Sequence, residues 1–281
     1  MLRLTTFLLA SVLVASSCAQ QQGTAQSAPD ITPSTPMARP GPPPAGATAS
    51  ELEITGDQLR AHNLMADAVD YYGAALKKGG DGAVLHNKIG IAQLNSMQLE
   101  RARREFEQSI KVKGDYADAY NNLGATWYSK ALPRNPHGTV NERDIRRAIQ
   151  YYERAINLND DSASFHSNLG TAYFVRKEYD KANVEYQRAL ELDPEVFERR
   201  SKVGSQLLVM TQEDRARFNY YLARLYAHQG NFDLALKCLR KAMEDGYKKI
   251  DDVYSDANFA SLRKDPRFTE LMTARPTAIP Q

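Results

Sequence analysis

The chain has 281 residues, 42% hydrophobic and 25% charged, an ordinary globular composition able to bury one sizeable core or two smaller ones. Its 36 basic and 34 acidic residues leave a formal charge of +2, which excludes a field strong enough to drive binding to nucleic acid or to an anionic membrane. Two cysteines, Cys18 and Cys238, exclude a disulfide framework.

Residues 1–17, MLRLTTFLLASVLVASS, carry one Arg, then an apolar run from Leu4 to Val14 too short to span a bilayer, then small residues. This is the pattern of an export signal. The following Ala15-Ser16-Ser17-Cys18 resembles the bacterial lipobox, where the signal is cut before a Cys whose thiol is lipidated, although Ala15 stands where Leu is usual. That resemblance implies a palmitate-type lipoprotein anchored at Cys18. With Ala19 rather than Asp next, it further implies the outer membrane, facing the periplasm. The alternative is ordinary cleavage after Ala19, which gives a soluble periplasmic or secreted protein. Residues 18–50, rich in Gln, Ala, Ser, Thr and Pro, lack the apolar content that offsets ordering entropy and are expected to form a disordered tether, stiffened by Pro42-Pro43-Pro44.

From residue 51 apolar side chains recur at helical spacing, punctuated by Gly and Asp-Pro. Gly90 and Gly124 lie 34 apart; Ala102 and Phe106 follow Gly90 by 12 and 16, and Ala182, Tyr186 and Ala189 follow Gly170 by 12, 16 and 19. Small residues at successive turns let two helices approach closely while the bulky residue fills the groove beside them. The spacing resembles the tetratricopeptide repeat, a helix-turn-helix unit of 34 residues. That resemblance implies an all-α solenoid of five repeats over 51–250, at 49–82 (Ala68, Tyr72, Ala75; helix A degenerate), 83–116, 117–162, 163–196 and 216–249 (Ala235, Leu239, Ala242).

Two interruptions and an ending complete the pattern. "NNLGATWY" at Asn121 returns as "SNLGTAYF" at Ser167, 46 residues on, because Ala148, Tyr152 and Ala155 each come twelve later than expected after Gly124. The extra residues, Leu132 to Arg143, contain two Pro and one Gly and are expected to loop out of the turn between the paired helices. Between Pro194 and Ala216 the chain fits half a repeat at best, with 197–210 open between helix and extended segment; Thr211 to Asp214 then reads as a capping box. The related phrases "DANFASL" and "DPRFTEL" place Phe259, Leu262, Phe268 and Leu271 in a capping segment, 251–274, before a tail at 275–281.

Motifs that carry chemistry are absent: no His-Glu-x-x-His, no phosphate-binding Gly-x4-Gly-Lys, no Gly-x-Ser-x-Gly and no Cys pair at ligand spacing. No catalytic residue, cofactor or metal is expected. His86 and His166 fall on packing positions of the repeat, and Trp127, Tyr152, Tyr173 and Tyr186 on core positions.

The family resemblance implies a noncatalytic scaffold that holds a partner's peptide segment in a concave groove lined by the first helix of each repeat. Carried onto this sequence, the groove positions are Asn87, Lys88, Asn121, Asn122, Ser167 and Asn168, with Tyr128 a turn further along. Asn side chains there can both donate to and accept from a peptide backbone. The alternative use of Asn122 and Asn168 is to satisfy neighbouring groups within the fold. The expected partner is an envelope protein, in pilus, secretion or outer-membrane assembly, with the membrane engaged through the lipid alone. The rival function is an enzyme or small-ligand receptor using the 132–143 loop and the groove.

Overall fold

The computed structural model describes residues 41–133, 138–198 and 211–276. The signal, Cys18, the tether up to residue 40, the middle of the inserted loop, residues 199–210 and the last five residues lie outside the described residues.

Helices pair in sequence: α1 (Ala49–Ala61) with α2 (Met65–Lys77), α3 (Gly82–Asn95) with α4 (Leu99–Val112), α5 (Ala117–Ala131) with α6 (Glu142–Leu158), and α7 (Ala163–Val175) with α8 (Tyr179–Leu192). A further pair, α9 (Gln212–His228) and α10 (Phe232–Glu244), is followed by three short 3-10 turns and α11 (Pro266–Ala274). No strand occurs among the described residues. Successive hairpins touch through α2 and α3, α4 and α5, and α6 and α7. This is the stacked helical-hairpin solenoid that the repeat spacing implies.

Close approach within each hairpin rests on the small residue of the first helix. A Cβ at Gly56, Gly90, Gly124 or Gly170 would lie 2.5, 2.5, 2.7 or 2.6 Å from the ring of Tyr72, Phe106, Tyr152 or Tyr186 respectively. Those four rings are at most 1% exposed, and burying each contributes roughly 1.5–3 kcal/mol. Helix A of the first repeat is therefore in full register, not degenerate; its signal is masked because Thr55 replaces the Leu or Ile that precedes the other glycines. In the last hairpin Ala223 takes the small position and Leu239 the bulky one. The side chain without a ring leaves room for a Cβ.

The turns inside the hairpins share one geometry. Asn63, Met97, Lys177 and Gly230, each seven residues after the small position, have φ of 62°, 57°, 63° and 79°. The residue after each returns its N–H five residues back, as in Leu64 to Leu59 O at 2.8 Å and Gln98 to Gln93 O at 2.8 Å. This is the left-handed cap that closes a helix sharply. In the third hairpin Ala131 occupies the corresponding place and remains helical, so the chain leaves as a loop. That loop returns to its origin: Asn141 N–H donates to Ala131 O at 2.9 Å, and the Asn141 side chain accepts from Arg143 and Asp144 N–H to cap α6.

The tether reading changes at its end. Tyr71 Oη donates to Gly41 O at 3.3 Å, Lys78 Nζ donates to Ala45 O at 2.8 Å, and Ala47 packs on the first core cluster, so residues 41–47 lie along α2. Thr48 then opens α1 with a capping box to Glu51.

The half-repeat also has a consequence. Each earlier first helix starts beside the start of the one before it, whereas Phe218 near the start of α9 packs on Phe174 at the end of α7 at 5.7 Å. In-line stacking would bring Phe218 to Phe165, the residue at the same offset from the small position. The expected fifth repeat is thus a true hairpin, set differently on the stack. Its far side is covered as anticipated: Phe259, Leu262, Phe268 and Leu271 are at most 4% exposed within the same cluster as Ala235, Leu239 and Ala242.

Candidate functional site

The first helices of hairpins one to four are joined by a ladder of side chains. Lys88 donates to Glu53 at 2.7 Å and to Asp57 at 2.6 Å; Asn122 Nδ2 donates to Asn87 Oδ1 at 2.9 Å; Asn168 Nδ2 donates to Asn121 Oδ1 at 2.8 Å. The donor of each rung sits two residues before the small position of its own helix, and Glu53, Asn87 and Asn121 sit three before that of the preceding helix; Asp57, the second acceptor of Lys88, directly follows Gly56. The helical rise and the repeat length bring these positions together. Asn121 Nδ2 reaches Asn122 Oδ1 at 3.4 Å, so the two asparagine rungs touch.

The structure thus brings together Asn87, Lys88, Asn121, Asn122 and Asn168, with Asn87, Asn121 and Asn168 buried and Lys88 and Asn122 half-buried. Their amides bind one another across repeats, the within-fold use of these side chains. Ser167 is fully buried and donates to Ser164 O at 3.0 Å. Tyr128 is 2% exposed and belongs to the core. It forms part of the wall of a cavity of about 410 Å³ beneath the inserted loop, with Leu132, Val140, Phe174, Arg176, Lys177 and Asp214. One turn along the ladder face from Asn87 and Asn121, Ile91 and Ala125 are half-buried.

Two histidines are paired with carboxylates. His86 Nδ1 lies 2.7 Å from Glu105, and His166 Nδ1 lies 2.7 Å from Glu185, the same pairing in two hairpins. Trp127 is held between Arg147 and Lys130, at 4.5 and 5.0 Å from the ring centre. No group of three or more His, Cys, Asp or Glu able to hold a metal occurs among the described residues. No described helix is long and apolar enough to cross a membrane.

Sequence reasoning did not single out the tyrosine cluster of the last hairpin. There Tyr220 and Tyr221 occupy the ladder positions of α9, three and two residues before Ala223. Tyr220 stacks on Tyr247 at 4.4 Å and Tyr221 on Tyr179 at 5.7 Å. Burial pushes the Tyr247 hydroxyl up to about 12. The repeated Tyr-Tyr at the ladder positions was the available signal.

Two family models described as tetratricopeptide repeat match residues 163–196 and 205–246. The chain is a tetratricopeptide-repeat protein. The first match covers α7 and α8, and the second covers α9 and α10. No curated protein matches the chain in sequence. Among solved structures, this tetratricopeptide-repeat chain is similar to a thermophilic repeat protein of Thermus thermophilus, at 22% identity over 77% of this chain and 100% of that one, with a TM-score of 0.49. It is similar to MamA from Desulfovibrio magneticus, at 17% identity over 71% of this chain and 95% of that one, TM-score 0.46. It is also similar to YrrB, described as having an unusual peptide-binding site, at 18% identity over 77% of this chain and 91% of that one, TM-score 0.43.

Proposed function

We propose that this tetratricopeptide-repeat protein is a noncatalytic scaffold that holds a partner protein's segment along the ladder face of its first helices. One observation supports this reading most: the rungs Lys88–Glu53, Asn122–Asn87 and Asn168–Asn121 align four helices into one continuous polar face, flanked by the half-buried Ile91 and Ala125. A rigid, pre-aligned surface lowers the ordering cost of binding. The anchor belongs to the same proposal: Cys18 is lipidated, the chain is held at the outer membrane facing the periplasm, and the partner is an envelope protein of a pilus, secretion or outer-membrane assembly system.

Two experiments test it. A photo-crosslinking residue at Ala125, introduced into the full-length protein in its native envelope, is expected to capture a partner, whereas one at the exposed Val184 on α8 is not. Capture from Val184 alone would move the site off the ladder face. Cys18→Ser is expected to abolish fatty-acid labelling, and a mature chain beginning at Gln20 would end the anchoring reading.

The cavity beneath the inserted loop favours one second reading, a receptor for a small molecule. A metabolite retained in native mass spectrometry, and lost when the loop is excised, would support it over the scaffold.

A further inference from the structure

The formal charge of +2 averages two unlike edges of the stack. At the edge where hairpins two to four turn from first helix to second, residues 97–104, Lys130, 142–147 and 176–181 hold ten basic and five acidic side chains. At the opposite edge of the same hairpins, residues 111–118, 157–161 and 188–195 hold three basic and seven acidic ones. Ion pairs join the basic edge into one patch. Lys130 at the end of α5 reaches Glu100 at the start of α4 at 2.8 Å, and Arg176 just after α7 reaches Glu142 at the start of α6 at 3.4 Å.

Four of the five carboxylates in this patch are engaged by its own cations: Glu100 by Arg103 and Lys130, Glu142 by Arg176, Asp144 by Arg147 at 3.9 Å, and Glu178 by Arg176 and Lys181. The fifth, Asp180, is exposed, and Asp214 lines the cavity beneath the loop together with Lys177. Arg101, Arg104, Arg143, Arg146 and Lys177 remain, exposed and without an ion pair among the described residues. Arg101 donates to Gln98 Oε1, and Arg104 and Arg146 donate to the backbone oxygens of Glu100 and Glu142, all neutral acceptors. Beside Arg101, Arg104 and Lys130 lies an open hollow of about 710 Å³, with the 68% exposed Met97 on its wall.

Exposed cations with no carboxylate beside them keep their field toward solvent, and five on one edge attract a surface of dispersed negative charge. We propose that this edge docks on the headgroups of an anionic phospholipid bilayer, with the free arginines and Lys177 facing phosphates and Met97 entering among the headgroups. The bound set by the net charge does not hold for this edge, and the membrane is then engaged by more than the lipid alone. A bilayer suits the patch because its cations are spread over the starts of α4 and α6 and the turn before α8 instead of converging on one point. Met97 adds an apolar contact that a nucleic acid would leave unused. The acidic edge is repelled by the same surface, so the attraction also orients the fold. Helices run from edge to edge, and docking therefore stands them upright on the membrane with the ladder face open at the side. The placing at a bilayer rests on the anchoring reading. Cys18 lies 23 residues before Gly41, so even a fully extended chain keeps the fold within about 80 Å of its anchor, where a weak attraction suffices.

The test needs no anchor, so its failure is distinct from a failure of fatty-acid labelling at Cys18. The full mature chain from residue 18, carrying Cys18→Ser, is sedimented with vesicles of phosphatidylcholine alone or of phosphatidylcholine mixed with phosphatidylglycerol. Binding to the mixed vesicles is expected to be at least tenfold tighter and to weaken as salt is raised. Arg104→Gln, Arg143→Gln and Arg146→Gln together should weaken it at least tenfold with circular dichroism unchanged, whereas Lys at the same three positions should retain it. Lys111→Gln, Lys113→Gln and Arg188→Gln together remove the same charge from the opposite edge and should change binding by less than about threefold. Equal binding to both vesicles, unaltered binding in the first triple variant, equal loss in the opposite-edge variant, or tighter binding to double-stranded DNA at the same phosphate concentration would each overturn the proposal.

Discussion

A Cβ at position 124 would lie 2.7 Å from the Tyr152 ring and 3.1 Å from the backbone oxygen of Ala148, so neither neighbour can yield cheaply. Gly124→Ala is therefore expected to destabilise by about 1–3 kcal/mol, more than the gain of about 1 kcal/mol in helix propensity. The reverse exchange at Met97 should act oppositely. Met97 is 68% exposed and adopts a φ of 57°, which strains a side chain with a Cβ. Met97→Gly is expected to stabilise by about 1 kcal/mol, and urea unfolding followed by circular dichroism measures both changes. Cys238 presents a different residue-scale case, because burial pushes its thiol from 9.0 up to about 12. It should resist maleimide at pH 8 in the native protein and react once unfolded, as mass spectrometry would report. A thiol pKa raised by folding contributes stability that is fully present below pH 9 and is lost as pH rises toward 12.

The inserted loop is the element whose role the structure redefines. Deleting all of Leu132–Arg143 would be expected to be neutral from the repeat pattern alone, since no motif residue is lost. In the fold that deletion also removes the partly buried Leu132 and Val140, the Asn141 cap and the first two residues of α6. Excising 133–139 instead joins two points already held together by the Asn141 to Ala131 hydrogen bond. This shorter excision should change stability by less than about 1 kcal/mol, whereas Asn141→Ala alone should cost about 1 kcal/mol. Thermal melts of the two variants distinguish loop from cap. The ladder residues were legible as a set, because Asn at a fixed distance before the glycine is a periodic signal. Their use was not legible: only the stacking offset decides that Asn122 meets Asn87 and Asn168 meets Asn121.

At the scale of the molecule, each hairpin contacts its neighbours, so damage at one end should stay local. Ending the chain after Lys249 removes Val253, Phe259, Leu262, Phe268 and Leu271, all at most 4% exposed. Amide exchange is expected to accelerate in α9 and α10, while α1 to α4 keep their protection. Uniform loss across all hairpins would show that the stack unfolds as one unit and would overturn this expectation.

The sequence by itself determined the helical-hairpin repeat, the position of the insertion and the cap, because each rests on local spacing: small residues every turn on one face, a bulky residue between them, and Pro and Gly where a helix cannot continue. It also determined which side chains are buried at those positions, from Tyr72 to Leu239. Only the tertiary structure decided what depends on how separate elements meet. Residues 41–47 are proline-rich and read as tether, yet hydrogen bonds from Tyr71 and Lys78 hold them on α2. The start of α9 lies beside the end of α7, through Phe218 on Phe174, a contact between separate elements to which periodicity within each helix is blind. The contacts of Tyr179 with Arg217 and Tyr221 likewise exist only in three dimensions, since Tyr179 lies on α8 and its two partners on α9.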